Sequence, residues 1–151
     1  MGTVTYPNAE VEQYITDNFI PVQFNVEDDP GAMDRFNAVW TPALIVQDVD
    51  GREHRRSFGY LDPKRFLAEM SLARVQAALD RHEYEQALKL AEDAQQKCAG
   101  DSQHEPEARY WASVAAYKAT NDSSKLMDGW NKLLDQFPDS EWAHRAEFIR
   151  A

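Results

Sequence analysis

The sequence predicts an α/β unit of about three strands, followed by an all-α region built from helical hairpins. Three observations carry this. Apolar residues alternate with period two at Ile20, Val22, Phe24 and Val26, the spacing of a strand with one buried face. A run of four apolar residues, Ala43-Leu44-Ile45-Val46, precedes Asp50-Gly51, a pair suited to a tight hairpin. Beyond Asp62, every apolar pattern has helical spacing.

The elements follow in order. Asn8 precedes Ala9-Glu10-Val11-Glu12-Gln13-Tyr14-Ile15, whose apolar positions 11, 14 and 15 and acidic first turn predict a short helix capped by the Asn8 side chain. The alternating strand comes next, with Pro21 at its start because proline has no N–H to give a ladder. Asp29-Pro30-Gly31-Ala32 opens a second short helix through about Asn37, with proline in the first turn. Ala43–Val46 reads as a strand buried on both faces. After the hairpin turn, Arg52 to Phe58 reads as an exposed, charged strand. Asp62 then caps a long helix to about Arg81, carrying Phe66, Leu67, Met70 and Ala73.

Four more helices are predicted. Tyr84, Ala87, Leu88, Ala91, Ala94 and Cys98 line one face of the first, and Gly100 ends it. Pro106 lies at the start of the next, which carries Tyr110, Trp111 and Val114. Leu126, Trp130, Leu133, Leu134 and Phe137 form the strongest apolar stripe, and Ser140 caps a last helix bearing Trp142, Ala146 and Ile149. Tyr84/Leu88/Ala91 and Leu126/Trp130/Leu133 share one spacing at an offset of 42 residues. Such a weak repeat is the pattern of stacked helical hairpins. The domain reading is 1–72 for the α/β unit and 73–151 for the helical unit.

Composition excludes several function classes. The net charge of −10 repels phosphate backbones, so nucleic acid is not an expected partner. No apolar run reaches the ~18–20 residues needed to span a bilayer, and no membrane contact is expected. Met1 to Pro7 has neither the basic nor the apolar region of a signal peptide. The single cysteine, Cys98, rules out an internal disulfide, and a reducing, cytoplasmic compartment is expected. His54, His82, His104 and His144 are scattered and read as surface or capping residues; none makes a metal-binding spacing. No phosphate-cradling glycine loop or nucleophile elbow is present in the sequence, and no cofactor or metal is expected.

The segment Phe36-Asn37-Ala38-Val39-Trp40-Thr41-Pro42-Ala43-Leu44-Ile45-Val46, with Asp50-Gly51 after it, resembles the thioredoxin-like family. There a short helix leads into a cis proline, a buried strand and an Asp-Gly hairpin. Phe58-Gly59-Tyr60 followed by Pro63 and Phe66 resembles that family's step into its last helix. The helices from Tyr84 onward are similar to tetratricopeptide-like hairpins found behind such domains in some bacterial proteins. The resemblance covers roughly Tyr6 to Leu79 and implies that Pro42 follows a cis bond. It also implies an incomplete thioredoxin-like sandwich: the family's first core strand and its Cys-x-x-Cys would lie upstream of Met1. The gap in the sheet would be closed by direct pairing of the flanking strands, by a strand from a second copy, or by Thr3–Tyr6 folding as a strand.

The candidate site is Trp40, Thr41 and Pro42. In the resembled family, the backbone before this proline pairs with an extended substrate peptide. The alternative is structural, with Pro42 shaping the turn and Trp40 filling the core. Dithiol exchange needs two thiols, and Cys98 sits on an apolar helical stripe that predicts burial. The leading expectation is therefore a non-catalytic protein-interaction module binding a protein or peptide, or pairing as a homodimer. The alternative is a thiol–disulfide oxidoreductase whose Cys-x-x-Cys lies outside this chain.

Overall fold

The computed structural model describes residues 1–150 and divides into two compact units, Met1–Phe66 and Leu67 onward. The division falls inside one helix, nearer the N-terminus than the expected 72/73 boundary.

In the first unit, α1 spans Ala9–Asn18, and the Asn8 side chain accepts from the amides of Glu10 and Val11, as its position predicts. Val11 is the residue that α1 buries. A short α2, Gly31–Arg35, follows Pro30, and Arg35 reaches back to both carboxylate oxygens of Asp29. Strands β1 (Ala43–Gln47) and β2 (Glu53–Phe58) form an antiparallel hairpin with Ala43 opposite Phe58 and Ile45 opposite Arg56. Asp48 builds the turn: its Oδ1 accepts from the amides of Asp50 and Arg52 at 3.0 and 2.9 Å. Gly51 there has φ +79°, which a side chain would strain. The Thr41–Pro42 bond is cis.

Four expectations are corrected here. The sheet has two strands, not about three. Residues 20–25 run without strand pairing, because the alternation sets a spacing but only a neighbouring strand supplies a ladder. Direct pairing of this segment with β1 is therefore absent. Thr3–Tyr6 is not a strand either. The amides of Val4, Thr5 and Tyr6 converge on the Met1 carbonyl as a turn, and the buried Thr5 hydroxyl donates to the Leu61 carbonyl at 2.6 Å. Finally, Ala43–Val46 is half-buried rather than buried on both faces, as fits a strand with one neighbour.

Helix α3, Pro63–Asp80, opens with the Asp62 carboxylate accepting from the Arg65 amide. The second unit adds α4 (Tyr84–Cys98), α5 (His104–Thr120), α6 (Ser123–Gln136) and α7 (Glu141–Ala146), then a 3₁₀ turn, Glu147–Arg150. Asn121 ends α5 in the left-handed conformation and Asp122 caps α6 through the Ser124 amide. Ser140 caps α7 through the Ala143 amide, as its position predicts.

Two cores hold the helices. Ala68, Leu72, Val75 and Ala78 of α3 pack with Ala87, Ala91, Ala94 and Cys98 of α4 and with Ala108 and Ala115 of α5. Alanine on three facing helices lets the backbones approach closely, so many small contacts replace a few large ones. The second core joins α5, α6 and α7 around Trp130, Leu133 and Ala146. Tyr110 stacks on Trp130 at 4.8 Å between ring centres and meets Trp142 at 5.1 Å. At the α5–α6 crossing, a Cβ on Gly129 would lie 2.0 Å from Ser113 Oγ and 2.8 Å from its Cβ. Any larger residue there would have to displace the Ser113 side chain. No described helix is long and apolar enough to cross a membrane.

Candidate functional site

Trp40, Thr41 and Pro42 connect α2 to β1, and all three are exposed. Trp40 is 67% exposed and its neighbour Val39 is 77% exposed, so the reading of Trp40 as core filler is overturned. Asn37 turns the chain out of α2 with φ +48°, and the Ala38 amide donates to the Met33 carbonyl. Arg56 of β2 fixes this corner by donating to the carbonyls of Phe36 and Asn37 at 2.9 and 2.8 Å. A guanidinium bridging two helix-end carbonyls is a strong, directional tie, favoured by the negative end of the helix dipole.

The edge of β1 beside these residues is open. Backbone groups of an antiparallel strand alternate between facing the partner and facing away. The Pro42 carbonyl accepts from the Gly59 amide at 2.8 Å, which puts Leu44 on the bonded side and leaves Ala43 and Ile45 facing away from β2. Among the described residues, no backbone group pairs with the amides of Ala43 and Ile45. Unpaired strand edges are templates for another extended chain. Exposed Trp40 stands at the head of such an edge.

Cys98 lies where its stripe predicts, fully buried, with Sγ 3.9 Å from the Ala68 carbonyl. The three helical tryptophans pack around Tyr110.

The histidines are where sequence reasoning missed most. His54 is buried, with Nε2 3.1 Å from Asp48 Oδ2. The Arg52 amide first, then this histidine, hold the Asp48 carboxyl below the usual carboxylate range against a counteracting burial effect. His104 is buried at the start of α5 between two carboxylates: Nδ1 is 3.0 Å from Asp101 Oδ1, and Nε2 is 3.1 Å from Glu69 Oε2 on α3. Burial opposes the charge on both partners. It is outweighed on Asp101 by the amides of His104 and Gln103 and by the imidazole, which hold that carboxyl at about 2. It is likewise outweighed on His104, where Glu69 and Asp101 raise the imidazole above its ordinary value. Both ring nitrogens are thus committed to carboxylates. The group clips α3 to α5, and among the described residues no set of three side chains is arranged to hold a metal. The Asp101-x-x-His104 spacing was visible in the sequence, but Glu69 lies 35 residues away and only folding joins it.

Comparison with protein-family models, with curated proteins and with solved structures returns no match.

Proposed function

We propose that this chain is a non-catalytic, thioredoxin-like protein-interaction module that takes an extended protein segment at Trp40-Thr41-Pro42 and along the adjoining edge of β1. The observation that carries the reading is the exposed Trp40 at the head of a strand edge whose Ala43 and Ile45 amides have no backbone partner. A large aromatic in water offers apolar area to a partner, and the edge offers hydrogen bonds that set direction. The thioredoxin-like assignment draws on the sequence from Phe36 to Gly51. The non-catalytic assignment draws on Cys98, the chain's single thiol, which is buried away from any substrate. A reducing, cytoplasmic compartment fits one unpaired thiol.

The test is selection of binding heptapeptides from a displayed random library on the full chain, followed by calorimetric titration of the selected peptides. The expected outcome is saturable binding that weakens about tenfold in Trp40→Ser, a loss of roughly 1.4 kcal/mol. Equal affinity for the variant would move the site elsewhere, and a selection yielding no binder would end the reading.

A further inference from the structure

The segment between α1 and the Asn25 turn has features the proposal at Trp40 does not use. α1 is capped by Phe19, the residue after it, whose backbone is extended (φ −138°, ψ 159°) and whose amide still donates to the Ile15 carbonyl. At the other end, the Asn25 carbonyl accepts from the amides of Asp28 and Asp29, and its side-chain amide donates to Asp28. The Phe24 ring rests on Phe36 at 5.0 Å with the Arg35 guanidinium above it. Both ends are anchored. Between them, Ile20 is 90% exposed and Val22 71% exposed, on alternate positions, with no ladder partner. Holding branched apolar side chains in water on an anchored segment carries an unfavourable solvation cost that burial by a partner would remove. The anchors also reduce the ordering cost of binding.

Charge decides the occupant. From Met1 to Asp34 the chain has seven carboxylates, Asp17 and Glu27 among them flanking the segment, and no lysine or arginine. The first basic side chain, Arg35, is committed to Asp29. A second copy of the chain would bring the same carboxylates and another −10 of net charge against this surface. A basic partner gains from the same field.

We infer that Phe19–Asn25 is a docking strand for an extended partner segment that carries apolar residues at alternate positions and lysine or arginine between them. This rests on the reading of the first unit as a protein-binding module, and adds a second surface and a charge class to it.

The test uses two labelled heptapeptides, one alternating lysine with valine and one alternating glutamate with valine, titrated by fluorescence anisotropy against the full chain. The lysine peptide is expected to bind saturably and at least about tenfold more tightly than the glutamate peptide, with added salt weakening it. Val22→Lys and Glu27→Lys, both at exposed positions, are each expected to reduce that affinity about tenfold while the circular dichroism spectrum stays unchanged. Equal binding of the two peptides overturns the charge class. Binding that survives both variants but falls in Trp40→Ser overturns the surface and leaves the earlier reading standing. A lysine peptide that fails to bind, when library peptides bind at Trp40, overturns this inference alone. Concentration-dependent self-association abolished by Val22→Lys would assign the strand to a second copy and overturn the basic partner.

Discussion

The two units distribute apolar surface in opposite ways. Nine of the large apolar side chains left exposed belong to the first unit, and two, Met127 and Phe148, to the second. Of the buried apolar residues, Val11, Ala32 and Phe66 belong to the first unit and the other eighteen to the second. One unit holds itself together. The other holds apolar residues in water on anchored backbone. A chain with 43% hydrophobic residues has enough to fill both, so the difference lies in arrangement. Helical stripes find partners in neighbouring helices of the same chain, whereas a lone hairpin leaves strand edges that local sequence cannot satisfy.

The same residue type in the two units gives the largest expected contrast. Trp130, buried and stacked on Tyr110, is expected to lose about 3–5 kcal/mol of stability on replacement by alanine. Trp40→Ala is expected to stay within about 0.5 kcal/mol. Urea unfolding followed by circular dichroism measures both, and a comparable loss at Trp40 would erase the distinction between the units.

Next in size is the His104 group. Its folded-state pKa lies above the ordinary 6.5, so its contribution is complete below 6.5 and is lost as pH rises through the folded value. Asp101 works at the other end: its carboxyl falls from 3.8 to about 2, so that contribution is present above 3.8 and is lost as pH falls toward 2. Stability of the second unit is therefore expected to be greatest between about pH 4 and 6.5. His104→Gln is expected to cost about 2–4 kcal/mol within that window and to flatten the alkaline decline. Thermal melts across pH check both, and an unchanged alkaline slope in the variant would clear His104 of the effect.

A smaller loss is expected at the α5–α6 crossing. Gly129→Ala gains up to about 1 kcal/mol of helix propensity but must push aside Ser113, where overpacking costs about 1–3 kcal/mol. A net loss of about 1 kcal/mol is expected in the same urea experiment, and a more stable variant would show that the crossing yields.

Legibility from sequence follows the same division. The helices of the second unit could be read because their apolar spacing, caps and breaks are local: Ser140 and Gly100 each mark an end through chemistry within a few residues. The hairpin was legible for the same reason, through Asp48 and Gly51. What misled was Ile20–Val26, whose period-two pattern is right for a strand that has no neighbour to pair with. The Trp40-Thr41-Pro42 site was legible as a position, but its exposure was not, since burial depends on what the rest of the unit brings near. His104 was read as a surface or capping group because its partner Glu69 is remote in the chain.

The placement of indole rings has a practical consequence. The chain has four tryptophans: Trp40 stands alone in the first unit, while Trp111, Trp130 and Trp142 cluster with Tyr110 in the second. An exposed indole emits at longer wavelength and meets aqueous quenchers freely. Clustered rings exchange excitation and give strong near-ultraviolet dichroic bands. Iodide therefore addresses Trp40, and the dichroic bands address the helical cluster. Unlabelled protein reports on its two units through separate optical channels, with no probe attached.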